Sequence, residues 1–392
     1  MLYALYRLVR AIVFLESDLF SLVRKIIEQN KVGNVEFFNI ITRFRLNTAD
    51  VAQDHDFLVF NDGFGLFDDL FESCWLIYTV TDKYVYFVRV LEPSLSMAAV
   101  QRQGEICYKS ADRVARMDIS EFVAEAKTRL SSSKGRVVMV HSTPCCSGSM
   151  LGRLLSTVDR TEKRLVVHGE PPVLNSLAVL AHLMPIEIMR ALTFASLRFS
   201  MRHLEKDQVL VMKTRSCCAK LVPYVHATMP SIQHLYLTSK DLTAAIPRLI
   251  DATSRELPTF EMVCCLMTYS STLCDFFTNW RLLEPEMVQK IGPKSPCEFA
   301  LAQIMGCVIN YQRNLKYYAL ETIYAEDLMS DPLTAVRPIL DVCGLGHVAL
   351  TDTREWKERE VTAIRSQTTS LDDQQRARVK LLVEYLQQDW CR

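Results

Sequence analysis

Arg136-Val-Val-Met-Val-His141 leads into Ser142-Thr-Pro-Cys-Cys-Ser-Gly-Ser-Met150 and then Leu151-Gly-Arg-Leu-Leu155. A β-branched run, a turn of small residues centred on Gly148 and an apolar pattern of helical spacing read as strand, loop and helix. Such a loop aims backbone N–H groups and a helix N-terminus at one point, and that point favours an anion. Ser149 falls in the first helical turn, where its hydroxyl adds a donor. The pattern G-x-x-x-x-G-K-[ST] of nucleoside-triphosphate loops is absent, because no Lys follows Gly148 and no glycine precedes it at the required spacing. The sequence thus argues against an ordinary ATPase or GTPase.

Downstream of this stretch, strand-like runs alternate with long helical patterns. The candidate strands are Arg136–His141, Arg164–His168, Gln208–Lys213, Gln233–Thr238 and Leu320–Tyr324. This alternation predicts an α/β domain over residues 136–392, a mainly parallel sheet flanked by helices. Ligands of such sheets sit beyond the carboxyl ends of the strands, near which His141, His168, Lys213 and Thr238 fall. The Pro-containing stretch Glu284–Pro296 reads as a loop, either a lid or a surface connection.

Upstream, residues 1–30 read as a helix whose stripe of Leu5, Leu8, Val9, Ile12, Leu15, Leu19, Leu22, Val23, Ile26 and Ile27 needs a covering surface. The strand-rich segment that follows is the expected cover. It comprises Phe57–Phe60 and a hairpin of Trp75–Val80 and Tyr84–Val90 around Thr81-Asp82-Lys83, with a further strand expected at Glu105–Tyr108. Asp118 has N-cap spacing for a helix through Leu130, and Ser131–Gly135 reads as a linker. Residues 1–130 thus form, on this reading, a small N-terminal α+β accessory domain without a catalytic constellation.

Composition bounds the function. Of 392 residues, 49% are hydrophobic and 23% charged, which suits a chain with a sizeable core. Lys+Arg and Asp+Glu are equal at 45 each, so neither nucleic acid nor an anionic membrane is indicated as a partner and any anion site must be local. The 13 cysteines include three adjacent pairs and show no metal-like spacing, which predicts buried thiols, no metal site and a reducing compartment. The apolar N-terminus is broken by Arg7 and Arg10, short of the ~20 residues that span a bilayer. A cytoplasmic protein without a membrane span is expected, and the oligomeric state is left open.

Several segments resemble the sulfotransferase family. Thr143-Pro-Cys-Cys-Ser-Gly-Ser-Met-Leu-Gly-Arg-Leu-Leu155 resembles its 5′-phosphosulfate loop, with Cys146 in place of the family's basic residue and Met150 in place of its Thr. The resemblance implies a P-loop sulfotransferase-like fold and 3′-phosphoadenylyl sulfate as co-substrate, its phosphosulfate held by Cys146, Ser147, Gly148 and Ser149. His168-Gly-Glu-Pro-Pro-Val-Leu-Asn175 is similar to a segment in which a Glu is the proposed general base, which marks Glu170. A Glu that merely closes a strand before a Pro-started helix is the competing account. Lys213-Thr-Arg215 matches a family Lys-Thr-His, so Lys213 is the expected stabiliser of the sulfonate. Arg215 replaces the His and, being permanently charged, suits an anionic substrate rather than proton abstraction.

The 3′-phosphate segment of the family aligns with Leu235–Leu249, where its Arg and Ser fall on Leu237 and Ala245. Lys240 and Arg248 are the nearby cations that could substitute. Thr322-Ile-Tyr-Ala-Glu-Asp-Leu-Met-Ser-Asp-Pro332 through Cys343-Gly-Leu-Gly346 resembles a further family segment whose role is structural, and Ser366-Gln367 a weaker one. Two readings follow. One is transfer of a sulfonate to a hydroxyl or amine of a small-molecule or glycan acceptor. The other is a catalytically silent pseudoenzyme serving as a binding or regulatory module.

Overall fold

The computed structural model describes residues 2–27, 33–45, 47, 50–92, 102–130, 135–157, 164–256, 260–280, 283–347 and 370–390. The expected linker 131–134 and the Ser366-Gln367 stretch lie outside them. The chain divides into two compact units. The first comprises Met1–Val137, Val166–Met212 and Tyr224–Ile232; the second comprises Val138–Leu165, Lys213–Pro223 and Gln233–Arg392.

One five-stranded sheet is antiparallel throughout. It is built from β1 (Val35–Arg43), β2 (Phe57–Gly65), β3 (Trp75–Val80), β4 (Tyr84–Val90) and β5 (Ala111–Asp118), in the order β2-β1-β5-β4-β3. The expected hairpin is present, closed by Thr81 N–H donating to the Tyr84 carbonyl at 2.9 Å. Alternating Phe38, Phe57, Val59, Tyr78, Tyr86 and Val88 fill the core on one face. Asp118 caps the helix Ile119–Arg129 by accepting from the Ser120 N–H.

Three expectations are corrected in these segments. Glu105–Tyr108 is not a strand but part of the helix Gln103–Ser110, because Gln103 and Cys107 bury at helical spacing. The missing strand is β5, whose arginines hide its pattern. The Arg116 guanidinium is buried against the Glu36 carboxylate and stacks on Tyr84, 4.6 Å from its ring centre. In the second unit, Glu284–Pro296 contains the helix Pro285–Ile291, started by Pro285 and stopped by Gly292 in the left-handed conformation.

The third correction concerns α1 (Leu2–Ile27). Its Leu/Ile stripe does not cover the strands. Instead Tyr6, Ser17 and Ser21 are the buried positions. Tyr6 donates to the His55 carbonyl, Ser17 accepts from the Asn61 N–H, and Ser21 donates to Glu36. Every residue of the predicted stripe is exposed.

The other sheet has the order β10-β9-β6-β8-β7, from β6 (Arg136–Ser142), β7 (Leu165–Gly169), β8 (Val209–Lys213), β9 (Gln233–Thr238) and β10 (Ile323–Tyr324). It is flanked by helices, as expected of an α/β chain, and β9 runs parallel to both β6 and β10. In the second unit, helices Ala245–Glu256, Phe260–Tyr269, Pro285–Ile291 and Pro296–Arg313 share one apolar core around Ile246, Phe260, Met287 and Phe299. Among the described residues no helix is long and apolar enough to cross a membrane.

Candidate functional site

β6 ends at Ser142, and the chain turns through Thr143–Ser147 into the helix Gly148–Thr157. The turn is made by two non-glycine residues in the left-handed region, Cys145 at φ 58° and Ser147 at φ 56°. Such conformations are uncommon outside glycine and collect at functional loops. Thr143 anchors the entry, its N–H donating to the Leu237 carbonyl at 3.0 Å and its hydroxyl lying 3.0 Å from that of Thr238. The geometry is the strand–loop–helix read in the sequence.

Lys213, at the end of β8, is nine-tenths buried against this turn. A β-carbon added to Gly148 would lie 2.9 Å from Lys213 Cε and 3.0 Å from Ser142 Oγ, so glycine is what lets the lysine approach the helix start. Ser147, Gly148 and Lys213 therefore share one place. A helix N-terminus and an ammonium facing one spot give an anion both a dipole and a point charge. Ser149, in the first helical turn, is exposed.

Cys146 does something different. Its side chain is buried in the apolar core that also holds Ala245, Ile246 and Met287, and its sulfur accepts from the Thr143 hydroxyl. Burial pushes its thiol up, with the Thr143 hydrogen bond and Arg248 pulling the other way. The backbone of Cys146 belongs to the loop, whereas its side chain is core. Leu237 and Ala245 are fully buried as well, so neither position offers a polar atom to a phosphate.

The two substitute cations are differently placed. Lys240 is exposed and donates to Asp327 at 2.6 Å. The neighbouring Glu326 accepts from the Lys240 N–H and the Ser239 hydroxyl; burial opposes ionisation, but these bonds hold its carboxyl below the usual range. Glu326-Asp327 thus braces the turn after β9. Arg248 lies in the helix Ala245–Glu256, with its Nε bonded to the Ala244 carbonyl at 3.3 Å. Arg215 is half-buried and stands at the N-cap position of the short helical turn Ser216–Leu221, without a side-chain capping bond. Glu170 belongs to the first unit, where it takes φ 53° between β7 and the helix Pro172–Leu180.

A buried polar network behind the loop was missed by sequence reasoning. His141 Nε2 lies 3.1 Å from His234 Nδ1, and His141 Nδ1 lies 3.0 Å from Thr214 Oγ1, which also reaches the Val140 carbonyl. One proton per ring closes the network: His141 Nδ1–H donates to Thr214, which donates to Val140, while His234 Nδ1–H donates to His141 Nε2. Burial, and then His234, hold the His141 imidazole well below its usual range, so its ring is a neutral partner in the core. The Thr of Lys213-Thr-Arg215 is thus a tie between strands. Its neighbour Lys213 is fixed in place by the same tie, since the Thr214 N–H donates to the Val140 carbonyl at 2.9 Å.

By sequence, no protein-family model and no curated protein matches the chain. By structure, the chain is similar to a sulfotransferase from Alicyclobacillus acidocaldarius, at 14% identity over 64% of this chain and 97% of that one, with a TM-score of 0.33. The likeness is to sulfotransferases. It extends to a sulfotransferase domain from the curacin biosynthetic pathway (12% identity, 65% of this chain and 99% of that one, TM-score 0.35). A sulfotransferase from Mycobacterium avium is similar at 13% identity over 75% of this chain and 84% of that one, with a TM-score of 0.36. At such identities no side chain carries over, and the site is read from its own geometry.

Proposed function

We propose that the chain is a sulfotransferase-like protein whose Cys146–Ser149 backbone and Lys213 hold the phosphosulfate of 3′-phosphoadenylyl sulfate. The observation that carries this reading is the approach of Lys213 to Gly148 at a helix N-terminus, a cationic cradle built by a strained loop. In the reaction an acceptor hydroxyl or amine attacks sulfur and the bond from sulfur to the 5′-phosphate oxygen breaks. Adenosine 3′,5′-bisphosphate leaves, and the acceptor proton passes to a general base, the role for which the resemblance in the sequence names Glu170. Lys213 offsets the charge that grows on the sulfonate and the leaving phosphate. Arg215 serves an anionic group of the acceptor, and Lys240 and Arg248 serve the 3′-phosphate, Lys240 by exchanging Asp327 for it.

A second reading rests on Cys146, Leu237 and Ala245. Their side chains are buried and uncharged where the family places its phosphate contacts, which favours a silent binding module. Each lost charge-assisted bond removes about 1.5–3 kcal/mol. Calorimetric titration with adenosine 3′,5′-bisphosphate at moderate salt separates the two. Micromolar binding, weakened at least tenfold in Lys213→Ala, is expected of a working donor site. No heat at millimolar ligand from folded protein would leave the silent module.

A further inference from the structure

In α1, Leu5, Leu8, Ile12, Leu15, Leu19, Leu22 and Ile26 recur at alternating spacings of three and four residues. That is the a/d repeat of a coiled coil held over three heptads, with Leu at every d position and Ile at two of the four a positions. In the structure all seven are exposed, from 55% at Leu22 to 74% at Leu15. The opposite face of the helix is the one tied down, by polar bonds from Tyr6, Arg10, Ser17, Ser21 and Lys25 to β1, β2 and the turn before β2. The helix therefore shows its more apolar face to solvent.

We infer that this seam is a homodimer interface, closed by α1 of a second copy of the chain. The heptad spacing selects a helical partner with the same repeat, because knobs of 3.5-residue period need holes of the same period. A second copy carries that repeat by construction. Seven branched side chains more than half exposed leave several hundred Å² of contiguous apolar surface, beyond what a monomer ordinarily shows and near the ~800 Å² per partner of a stable dimer. The flanking positions fit as well. Val9, Glu16 and Val23 at e, with Ala11, Asp18 and Lys25 at g, place no like-charged pair directly across a parallel seam. A lipid surface would use the same leucines but has no need of a strict 3-4 alternation.

The test is sedimentation equilibrium of the full chain from 1 to 50 µM. The expected mass is twice 44.9 kDa. Ile12→Glu combined with Leu19→Glu should give a monomer, at least a hundredfold weaker in self-association, with unchanged circular dichroism because both side chains are exposed in the single copy. Leu183→Glu, at an exposed leucine off this helix, should remain dimeric. A monomeric wild type overturns the inference, as does a dimer that survives the double substitution, or a monomer that cosediments with phosphatidylserine vesicles through α1. Should the double variant fail to fold, amide exchange of wild-type α1 decides. Protection that rises with protein concentration supports the dimer, and protection independent of concentration overturns it.

Discussion

Gly148 and Cys146, two residues apart in one loop, show how differently neighbouring positions were legible. The glycine was readable because a small-residue turn before a helix implies a close backbone approach, and the structure supplies the approaching group, Lys213. The burial of Cys146 agrees with the expectation of buried thiols, but the same residue was also expected among the phosphosulfate contacts, and its side chain has gone to the core instead. Burial decides for core, and its raised thiol pKa removes it as a nucleophile. The same geometry predicts the effect of Gly148→Ala. With Lys213 Cε 2.9 Å and Ser142 Oγ 3.0 Å from the new methyl, the lysine must withdraw. Binding of adenosine 3′,5′-bisphosphate should weaken about tenfold, while the melting temperature changes little, because the ammonium end of a lysine swings at small cost. Undiminished binding in the calorimeter would show that Lys213 does not act at the helix start.

Among the elements, those with a long pattern were legible and those with a short or charged one were not. β6, β8 and β9 are buried, mainly apolar runs, and each lies within one residue of its expected bounds. The helix Gln103–Ser110 was mistaken for a strand because Ile106 and Tyr108 alternate over only four residues, a length at which the two periods cannot be told apart. β5 was invisible because Arg116 looks like a surface residue until Glu36 and Tyr84 are seen around it. α1 was recognised as a helix, but its buried face was assigned by hydrophobicity when hydrogen bonds decide it. The N-cap at Asp118, by contrast, was legible. Asp118 accepts from the Ser120 N–H at 2.7 Å and its hydroxyl at 2.6 Å, with its carboxyl held below the usual range by the Ser120 hydroxyl. Asp118→Ala should cost about 1 kcal/mol of stability, seen as a lower urea midpoint, and Asp118→Asn much less. Equal losses in the two variants would mean that charge rather than capping geometry matters there.

For the molecule as a whole, two imidazoles, the fully buried His141 and the half-buried His168, set the response to acid. His141 is enclosed by His234, Thr214 and the Tyr318 ring, and burial, then His234, hold it well below its ordinary value. His168 lines a cavity of about 320 Å³ in the first unit, where burial, then Arg202, push it down to about 4. In the unfolded chain both titrate near 6.5. Their folded pKa values are depressed, so between pH 6.5 and 4 the unfolded chain binds protons that the native one refuses. Stability is therefore complete above about pH 6.5 and falls as acid is added. The carboxylates with lowered pKa, Glu36, Asp54 and Glu326, are stabilising at higher pH and lose that contribution only as pH falls below their ordinary range near 4. A melting temperature that declines steadily from pH 7 to pH 5 is thus assigned to the histidines, and His168→Phe should flatten that decline whatever it does to the melting temperature at pH 7. A slope unchanged by the substitution would place the acid sensitivity in other groups. His141 packs directly behind the loop that carries Gly148, and because the native ring refuses the proton between pH 6.5 and 4, that loop should keep its geometry over the interval. Ligand affinity of the folded protein is therefore expected to hold from pH 7 to pH 5 while the melting temperature falls, and an affinity that drops in step with stability would show that the native loop itself responds to protonation.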